Sequence, residues 1–168
     1  MPHPYPPRLP NFSYVGRYSY SLEFTTHARH PTFVEERVVD LVLQQILRAA
    51  VEIGFSVIAY CFMPDHLHLV VKGLEDASDC KAYIKAAKQL SGYHFKQSMR
   101  RRLWQRYGYE HVIRDDMERA LTIRYLLANP VRAGLVDHPA KYPFLGSQEY
   151  TVDELLQICE YSEVTPWD

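Results

Sequence analysis

The stretch that most constrains the fold runs from residue 55 to residue 73 and reads FSVIAYCFMPDHLHLVVKG. Its first half is β-branched and aromatic, Pro64 and Asp65 supply a turn, and a second run of strand-forming residues follows. This pattern predicts a β-hairpin. Because side chains on a strand alternate between its faces, His66 and His68 are expected on one side and the intervening leucines on the other. One face of the second strand therefore belongs to the core, and the other carries two imidazoles.

Helices and strands are predicted on both sides of this hairpin. The predicted strands and helices cover residues 16–26, 32–54, 78–100, 109–115 and 116–129, in the order strand, helix, helix, strand, helix. Asp115 and Glu118 have the spacing of a capping box at the start of the last helix. Pro130 is expected to end that helix, since the residue before a proline avoids helical angles, and Pro130 to Gly134 predict one further short turn. The pattern predicts an α+β fold in which helices pack on an antiparallel sheet.

The length and composition of the chain limit its class. With 168 residues, of which 47% are hydrophobic, the chain can bury one core, which predicts one soluble domain. The sequence has no apolar run near the roughly 20 residues that cross a bilayer, and its N-terminus lacks a basic region followed by an apolar one. We therefore expect no membrane partner and cytoplasmic residence. The cysteines, Cys61, Cys80 and Cys159, lie far apart without a CxxC pair, which favours a reducing compartment and no zinc cluster.

Positive charge is concentrated in one segment although the formal net charge is only -1. Between Lys81 and Arg106 the chain carries eight lysines and arginines and no acidic residue. The lysines at the start of this segment have the i, i+4, i+7 spacing of one helical stripe, and aromatic residues such as Trp104 are interleaved with the charges. The segment predicts binding to the phosphates of a nucleic acid, or alternatively a solvated helix face that happens to be basic.

Two motifs supply residue types that could carry chemistry. The imidazoles of His66 and His68 lie about 7 Å apart along a strand and can converge on one divalent ion. On the helix before Pro130, Tyr125 and Asn129 are four residues apart and share a face, and a carboxamide oxygen suits Mg²⁺ or Mn²⁺. The alternatives are two singly hydrogen-bonded histidines, a packing tyrosine and a capping asparagine, so these patterns alone identify no reaction.

Three stretches together resemble a known family. YCFMPDHLHLVVKG, LWQRYGYEHVIRDD and RYLLANPVRAGLV, in this order and spacing, resemble the IS200-like transposases of the single-tyrosine HUH class, and most closely the REP-associated tyrosine transposases. The resemblance runs from about Gly16 to Gly146. It implies a ferredoxin-like HUH nuclease fold, with a proline-rich arm at residues 1–14, a catalytic domain at residues 15–147 and a C-terminal tail at residues 148–168.

The resemblance also implies the roles of individual residues. His66 and His68 match the metal-binding pair of the family, for Mg²⁺ or Mn²⁺, and Tyr125 matches the nucleophile. Asn129 stands where the insertion-sequence transposases carry a glutamine that completes the metal site, and its side chain is shorter. The implied activity is the metal-dependent cleavage and rejoining of single-stranded, hairpin-forming repeat DNA through a 5′-phosphotyrosine, without ATP.

A DNA partner is implied for the basic residues. The expected DNA-binding residues are Lys81, Lys85, Lys88, Lys96, Arg100, Arg101, Arg102, Trp104 and Arg106, with Arg114 and Arg132 near the scissile phosphate. Because a single tyrosine per site permits one covalent intermediate at a time, the recombination of two ends implies either a homodimer or sequential steps. An alternative function is a transposase-derived protein that binds structured DNA or RNA with little or no nicking, and a hydrolase that activates water is a more distant one.

Some assignments stay open between neighbouring residues. Tyr93, Tyr107 and Tyr109 are rival nucleophiles, since each could approach DNA from a basic segment or a strand end. His111 is interpreted either as a residue near the metal or as a plain surface residue.

Overall fold

The structure of the protein is a computed structural model that describes residues 9–159. Five strands and four helices make up the fold, together with two short 3₁₀ helices at His27–Arg29 and Pro139–Lys141. The strands are β1 (Ser19–Thr25), β2 (Phe55–Met63), β3 (His66–Gly73), β4 (Tyr109–Ile113) and β5 (Leu145–Gly146). The helices are α1 (Glu36–Ile53), α2 (Cys80–Met99), α3 (Asp116–Arg132) and α4 (Val152–Ile158).

The strands form one antiparallel sheet in the order β4-β1-β3-β2-β5. Strand β3 is central and pairs along its whole length with β1 and with β2, as the hairpin pattern predicts. In this register His68 lies opposite Glu23 of β1, and Glu23 lies opposite Tyr109 of β4. The register therefore places one side chain from each of three neighbouring strands in a row across the sheet.

Helices cover both faces of the sheet and bury a core on each. On one face α1 and α2 pack against a cluster that includes Leu67, Leu69 and the large aromatic side chains of β1 and β2. On the other face α3 packs against a smaller cluster that includes Val70 and Ile123. Because side chains alternate along β3, His66 and His68 share the α3 face with Val70. The predicted α+β class is confirmed.

The ends of the helices follow local chemistry. Helix α1 ends at Gly54, which adopts a left-handed conformation with φ 81° that glycine tolerates without cost. Asp79 caps α2 by accepting a hydrogen bond from the backbone of Ala82. Asp115 caps α3 through the backbone of Glu118 at 2.8 Å. The Glu118 carboxylate accepts from the backbone nitrogen of Arg114 rather than completing the predicted capping box.

The prediction that Pro130 ends its helix is wrong. Helix α3 continues through a buried Pro130 to Arg132, and the expected separate turn is its last turn. Pro130 has no N–H to donate to the carbonyl of Leu126, so α3 continues past it with one intrahelical hydrogen bond fewer. The chain then closes with Ala133 N donating to Asn129 O, and Gly134 takes a positive φ of 72°. As a result Arg132 stays on the same rigid helix as Tyr125.

The folded part of the chain extends beyond both predicted domain boundaries. Tyr14 is buried in the larger core, although it falls in the predicted arm of residues 1–14. Helix α4 buries Leu155 and Cys159 against α3, although it falls in the predicted tail of residues 148–168. Residues 1–8 of the arm and 160–168 of the tail lie outside the described residues. Within residues 9–159, no helix is long and apolar enough to cross a membrane.

The structure places Trp104 in the core and not on a surface that DNA can reach. Its ring is 5% exposed and packs against Phe24 and Phe33. The indole nitrogen donates to the hydroxyl of Ser91, which is itself fully buried on α2. A ring held in this way cannot stack on a DNA base without unfolding its surroundings, so the predicted DNA contact of Trp104 is wrong.

The Ser91–Trp104 hydrogen bond should contribute measurably to stability. We expect Ser91→Ala to lower the free energy of unfolding by about 1 to 3 kcal/mol, because the buried indole N–H loses its acceptor. Urea unfolding followed by fluorescence measures this change. The control is Ser98→Ala, at an exposed position on the same helix. Equal losses in the two variants would contradict the assignment of Trp104 to the core.

Candidate active site

A cavity of about 550 Å³ lies between α3 and the face of the sheet that carries the two histidines. His66, His68, Tyr125 and Asn129 all line it. Residues from two predicted motifs, which are far apart in the sequence, therefore meet in one place within a single chain. A second copy of the chain is not needed to bring the tyrosine helix beside the histidine pair.

The two imidazoles face each other inside this cavity. Their Nε2 atoms are 3.0 Å apart, and their ring planes are nearly perpendicular. On the opposite side of each ring, the Nδ1 atom faces a carboxylate. His66 Nδ1 lies 2.6 Å from Asp65 Oδ1, and His68 Nδ1 lies 3.7 Å from Glu23 Oε2. Both rings are thus backed by acids and directed at one another.

The hydrogen bonds of the pair depend on the tautomer of His68. A carboxylate only accepts hydrogen bonds, so neutral His66 donates through Nδ1 to Asp65 and its Nε2 carries a lone pair. His68 Nδ1 is too far from Glu23 for a hydrogen bond, and an Nε2 proton on His68 can be donated to His66 Nε2 at 3.0 Å. In the other tautomer the proton of His68 lies on Nδ1, on the side of Glu23, and both Nε2 lone pairs are available to a cation. Carboxylate–histidine–metal arrangements have this form.

The donor set fits a small divalent ion. Two nitrogens that each lie about 2.1 Å from one ion, at about 90° to each other, are separated by about 3.0 Å. Within residues 9–159 no third histidine, cysteine or acid joins the pair in a metal-binding cluster. The side-chain nitrogen of Asn129 is buried with no hydrogen-bond partner among the described residues. A half-turn of the amide group exchanges its nitrogen and its oxygen. The oxygen then occupies the position without a partner and can serve as a ligand.

Charge and burial set the protonation of the groups around the histidines. Burial alone would raise the pKa of Asp65, but its hydrogen bond to His66 and the nearby Arg29 outweigh burial and hold that pKa below its ordinary value. Burial, with smaller effects from His66 and Arg132, lowers the pKa of His68 to about 3. His68 is therefore neutral at physiological pH, as a metal ligand must be.

Tyr125 is held on the opposite wall by α3. It lies one turn before Asn129, and the guanidinium of Arg132 stacks on its ring 4.2 Å from the centroid. Arg132, which the family resemblance made a candidate for contact with the scissile phosphate, thus contacts Tyr125 itself. Among the rivals, Tyr109 also lines the cavity, whereas Tyr93 and Tyr107 do not. Tyr93 is 61% exposed and Tyr107 is 70% exposed on other surfaces.

Three charged residues that the sequence did not assign to the site also line the cavity, namely Glu23, Arg29 and Glu118. His111 lines it too, and its Nε2 atom lies 2.5 Å from Glu118 Oε1. His111 is thus in the same cavity as the histidine pair and is not a plain surface residue. The sequence showed that side chains alternate along β1, but it did not show which residues reach the cavity. The strand register and the packing of α3 bring them there.

Part of the basic segment forms a second groove. This cavity, of about 320 Å³, lies between α2 and the edge strand β4 and is lined by Lys81, Lys85, Lys88, Arg106 and Tyr109 among others. Tyr109 lines both this groove and the first cavity. Burial lowers the pKa of Lys88, and its Nζ donates to the backbone oxygens of Gln105 and Arg106.

Other predicted DNA-binding residues lie outside both cavities. Arg101 contacts Thr32 and the ring of Phe95, and Arg102 donates to the backbone oxygen of Trp104. These two arginines therefore stabilise the fold at the end of α2. The remaining residues of the predicted set are exposed outside the cavities, namely Lys96, Arg100 and Arg114.

The chain is similar to transposases in both sequence and structure. A family model described as "Transposase IS200 like" matches residues 14–126. A Haemophilus influenzae protein assigned to the REP-associated tyrosine transposases is 31% identical over 101 residues, which are 54% of this chain. The match covers 57% of that relative, so it spans little more than half of the relative's length.

Two solved structures share the fold. A REP-associated tyrosine transposase bound to a REP hairpin aligns with a TM-score of 0.72 at 18% identity, over 92% of this chain and 88% of its own. A Deinococcus radiodurans protein classed as a transposase aligns with a TM-score of 0.52 at 23% identity, over 68% of this chain and 92% of its own. At these identities the likeness shows a common fold.

The partly buried, neutral His68 should make stability depend on pH. The folded protein resists protonating this imidazole until about pH 3, whereas an unperturbed imidazole takes up a proton below 6.5. The contribution of the neutral His68 to the free energy of unfolding is therefore fully present above pH 6.5. It is lost as the pH drops from 6.5 toward 3. In EDTA, we expect the free energy of unfolding to fall by about 1 kcal/mol more in the unmodified protein than in His68→Asn between about pH 7.5 and 5.5.

Urea unfolding at the two pH values measures this difference. His94→Asn, which alters a histidine on α2 outside the cavity, is the control and should keep the full pH dependence. An unchanged pH dependence in His68→Asn would show that His68 is not held neutral by the fold.

Proposed function

The chain belongs to the family of IS200-like transposases, and from that premise we propose that it cleaves and rejoins single strands of hairpin-forming repeat DNA through Tyr125. The observation that carries the proposal is the shared cavity of Tyr125 and the convergent histidine pair. A protein that only bound DNA would have no use for two imidazoles directed at each other beside a tyrosine.

A divalent ion, Mg²⁺ or Mn²⁺, is part of this proposal. His66 and His68 would hold it through their Nε2 atoms, and Asn129 would be the third protein ligand. When bound, the ion supplies Lewis-acid polarisation of the scissile phosphate. The hydrogen bond to Asp65 keeps the His66 ring oriented with Nδ1 outward, and Glu23 lies on the Nδ1 side of His68, so both ligand nitrogens face the cavity.

Tyr125 performs the bond exchange. Its phenolic oxygen forms a bond to phosphorus while the bond from phosphorus to the 3′ oxygen of the neighbouring nucleotide breaks. The phenol loses its proton, the leaving oxygen gains one, and the products are a 5′-phosphotyrosine and a free 3′-hydroxyl. The covalent link conserves the phosphodiester energy, so a 3′-hydroxyl can reverse the step without ATP. The Arg132 guanidinium holds the phenol ring in place before attack.

We infer that the strand runs from the active-site cavity toward the basic groove between α2 and β4, because Tyr109 lines both cavities. Lys81 and Lys85 are exposed there and suit backbone phosphates, and the exposed Tyr107 ring suits stacking on an unpaired base. The structural relative bound to a REP hairpin supports a hairpin as the substrate.

Formation of a covalent adduct tests the proposal directly. Incubation of the protein with end-labelled single-stranded palindromic repeats should give a protein–DNA adduct with Mn²⁺ and none with EDTA. We expect Tyr125→Phe to abolish the adduct, since the attacking oxygen is absent. The matched control is Tyr109→Phe, on the facing wall of the same cavity, which should retain it. An adduct that survives in Tyr125→Phe and disappears in Tyr109→Phe would identify Tyr109 as the nucleophile.

Tight binding without any adduct would favour the function of a binding protein.

The basic groove predicts a change in salt dependence. Replacing Lys81 and Lys85 together with alanine should weaken hairpin binding, and the slope of log affinity against log salt should fall by about 1 for each phosphate that is no longer neutralised. Fluorescence anisotropy across a salt series measures both quantities. Lys141→Ala, which removes an exposed lysine paired with Asp137, is the control. Equal slopes in all three proteins would place the DNA on another surface.

A further inference from the structure

Arg29 lies at the mouth of the active-site cavity, where the only role described so far is its contact with Asp65. Its side chain is 61% exposed and lines the cavity. The other charged lining residues are acids, Glu23 and Glu118, together with histidines. Among the described residues that line the cavity, Arg29 is thus the one with a permanent positive charge. A cavity that admits a phosphodiester needs such a charge near the reacting group.

The backbone that carries Arg29 is held in an unfavourable conformation. Ala28 and Arg29 both adopt left-handed angles, with φ of 55° and 52°, which residues other than glycine rarely take. Such angles persist where surrounding contacts fix them, and they concentrate at functional sites. Here the chain is fixed by hydrogen bonds from His27 N to Leu103 O and from Arg29 N to Thr26 O.

The same loop is tied to the turn that precedes His66. The Thr26 hydroxyl lies within hydrogen-bonding distance of the backbone oxygens of His30 and Asp65, at 2.8 and 2.9 Å. The backbone nitrogens of Thr32 and Phe33 both donate to Pro64 O. The position of Arg29 is therefore coupled to the turn that carries the carboxylate of Asp65.

The ion pair between Arg29 and Asp65 leaves the guanidinium available. The two groups meet at 3.4 Å through one nitrogen, while Asp65 lies closer to His66, at 2.6 Å. A guanidinium has five donors in a planar fork that matches two oxygens of a phosphate. A single long contact at an exposed position uses little of that capacity.

From these observations we propose that Arg29 binds the phosphate that Tyr125 attacks, through its non-bridging oxygens. The proposal rests on the proposed function for the identity of that phosphate. The guanidinium would hold the phosphate at the cavity mouth and would offset charge that develops on its oxygens as the bond to Tyr125 forms. The strained loop fixes this donor before DNA arrives, so little ordering is needed on binding.

A chemical double-mutant cycle tests this contact. Oligonucleotides that carry one neutral methylphosphonate, moved along the strand phosphate by phosphate, are bound in EDTA to the unmodified protein, Arg29→Gln and Arg29→Gly. We expect Arg29→Gln to weaken binding to the natural strand about tenfold. At the phosphate that Arg29 contacts, the methylphosphonate should weaken binding by the unmodified protein. The same methylphosphonate should not weaken binding by Arg29→Gln any further, because the contact is already lost.

Two further variants separate the guanidinium from the shape of the loop. Glycine fits the left-handed backbone, so Arg29→Gly should keep the loop and lose the same coupling. Arg37→Gln removes an exposed arginine on α1, outside the cavity, and should keep the full pattern of the unmodified protein.

The same oligonucleotides in Mn²⁺ locate the cleaved phosphate and separate the two proposals. Coupling of Arg29 to the cleaved phosphate supports the assignment. Coupling to no phosphate, or to a phosphate other than the cleaved one, overturns it. If the unmodified protein forms no adduct but Arg29 still couples to one phosphate, the proposed function fails and phosphate binding by Arg29 stands.

Discussion

Strand β3 pairs with β1 and β2 on its two sides, and this pairing fixes both the core and the cavity. Its leucines enter the core under α1 and α2, while His66 and His68 face α3. A shift of one residue in the register would exchange these faces, burying imidazoles and exposing leucines. The hydrophobic side of the strand thus holds the imidazoles of the other side in place, and the stability of the core also maintains the geometry of the site.

The charges in the cavity follow from this arrangement. Acids lie behind the imidazoles and direct their Nε2 atoms inward, which suits a cation and disfavours an incoming phosphate. The cavity therefore needs positive charge before it can accept DNA, and Arg29 together with a bound divalent ion would supply it. This balance gives a physical reason for a basic groove beside an acidic cavity, since the groove can retain the strand while the site engages one phosphate.

Local patterns in the sequence predicted most of the fold. The hairpin, the helices and the convergence of the histidine pair follow from periodicity and turn residues, as the structure shows. The assignment of Trp104 failed because contacts distant in the sequence bury its ring, which packs on Phe24 and Phe33. The predicted end at Pro130 failed because α3 accommodates this proline in its last turns. Glu23, Arg29 and Glu118 could not be assigned to the site, because strand register and helix packing bring them there.

We propose that one chain holds a divalent ion between His66 and His68 in the cavity that Tyr125 lines. Anomalous diffraction from a crystal soaked in Mn²⁺ tests this, because it locates the ion without any assumption about activity. We expect a single strong peak in the cavity, coordinated by both Nε2 atoms and by the side-chain oxygen of Asn129. A map with no peak there, and with the two imidazoles still in contact with each other, would contradict it.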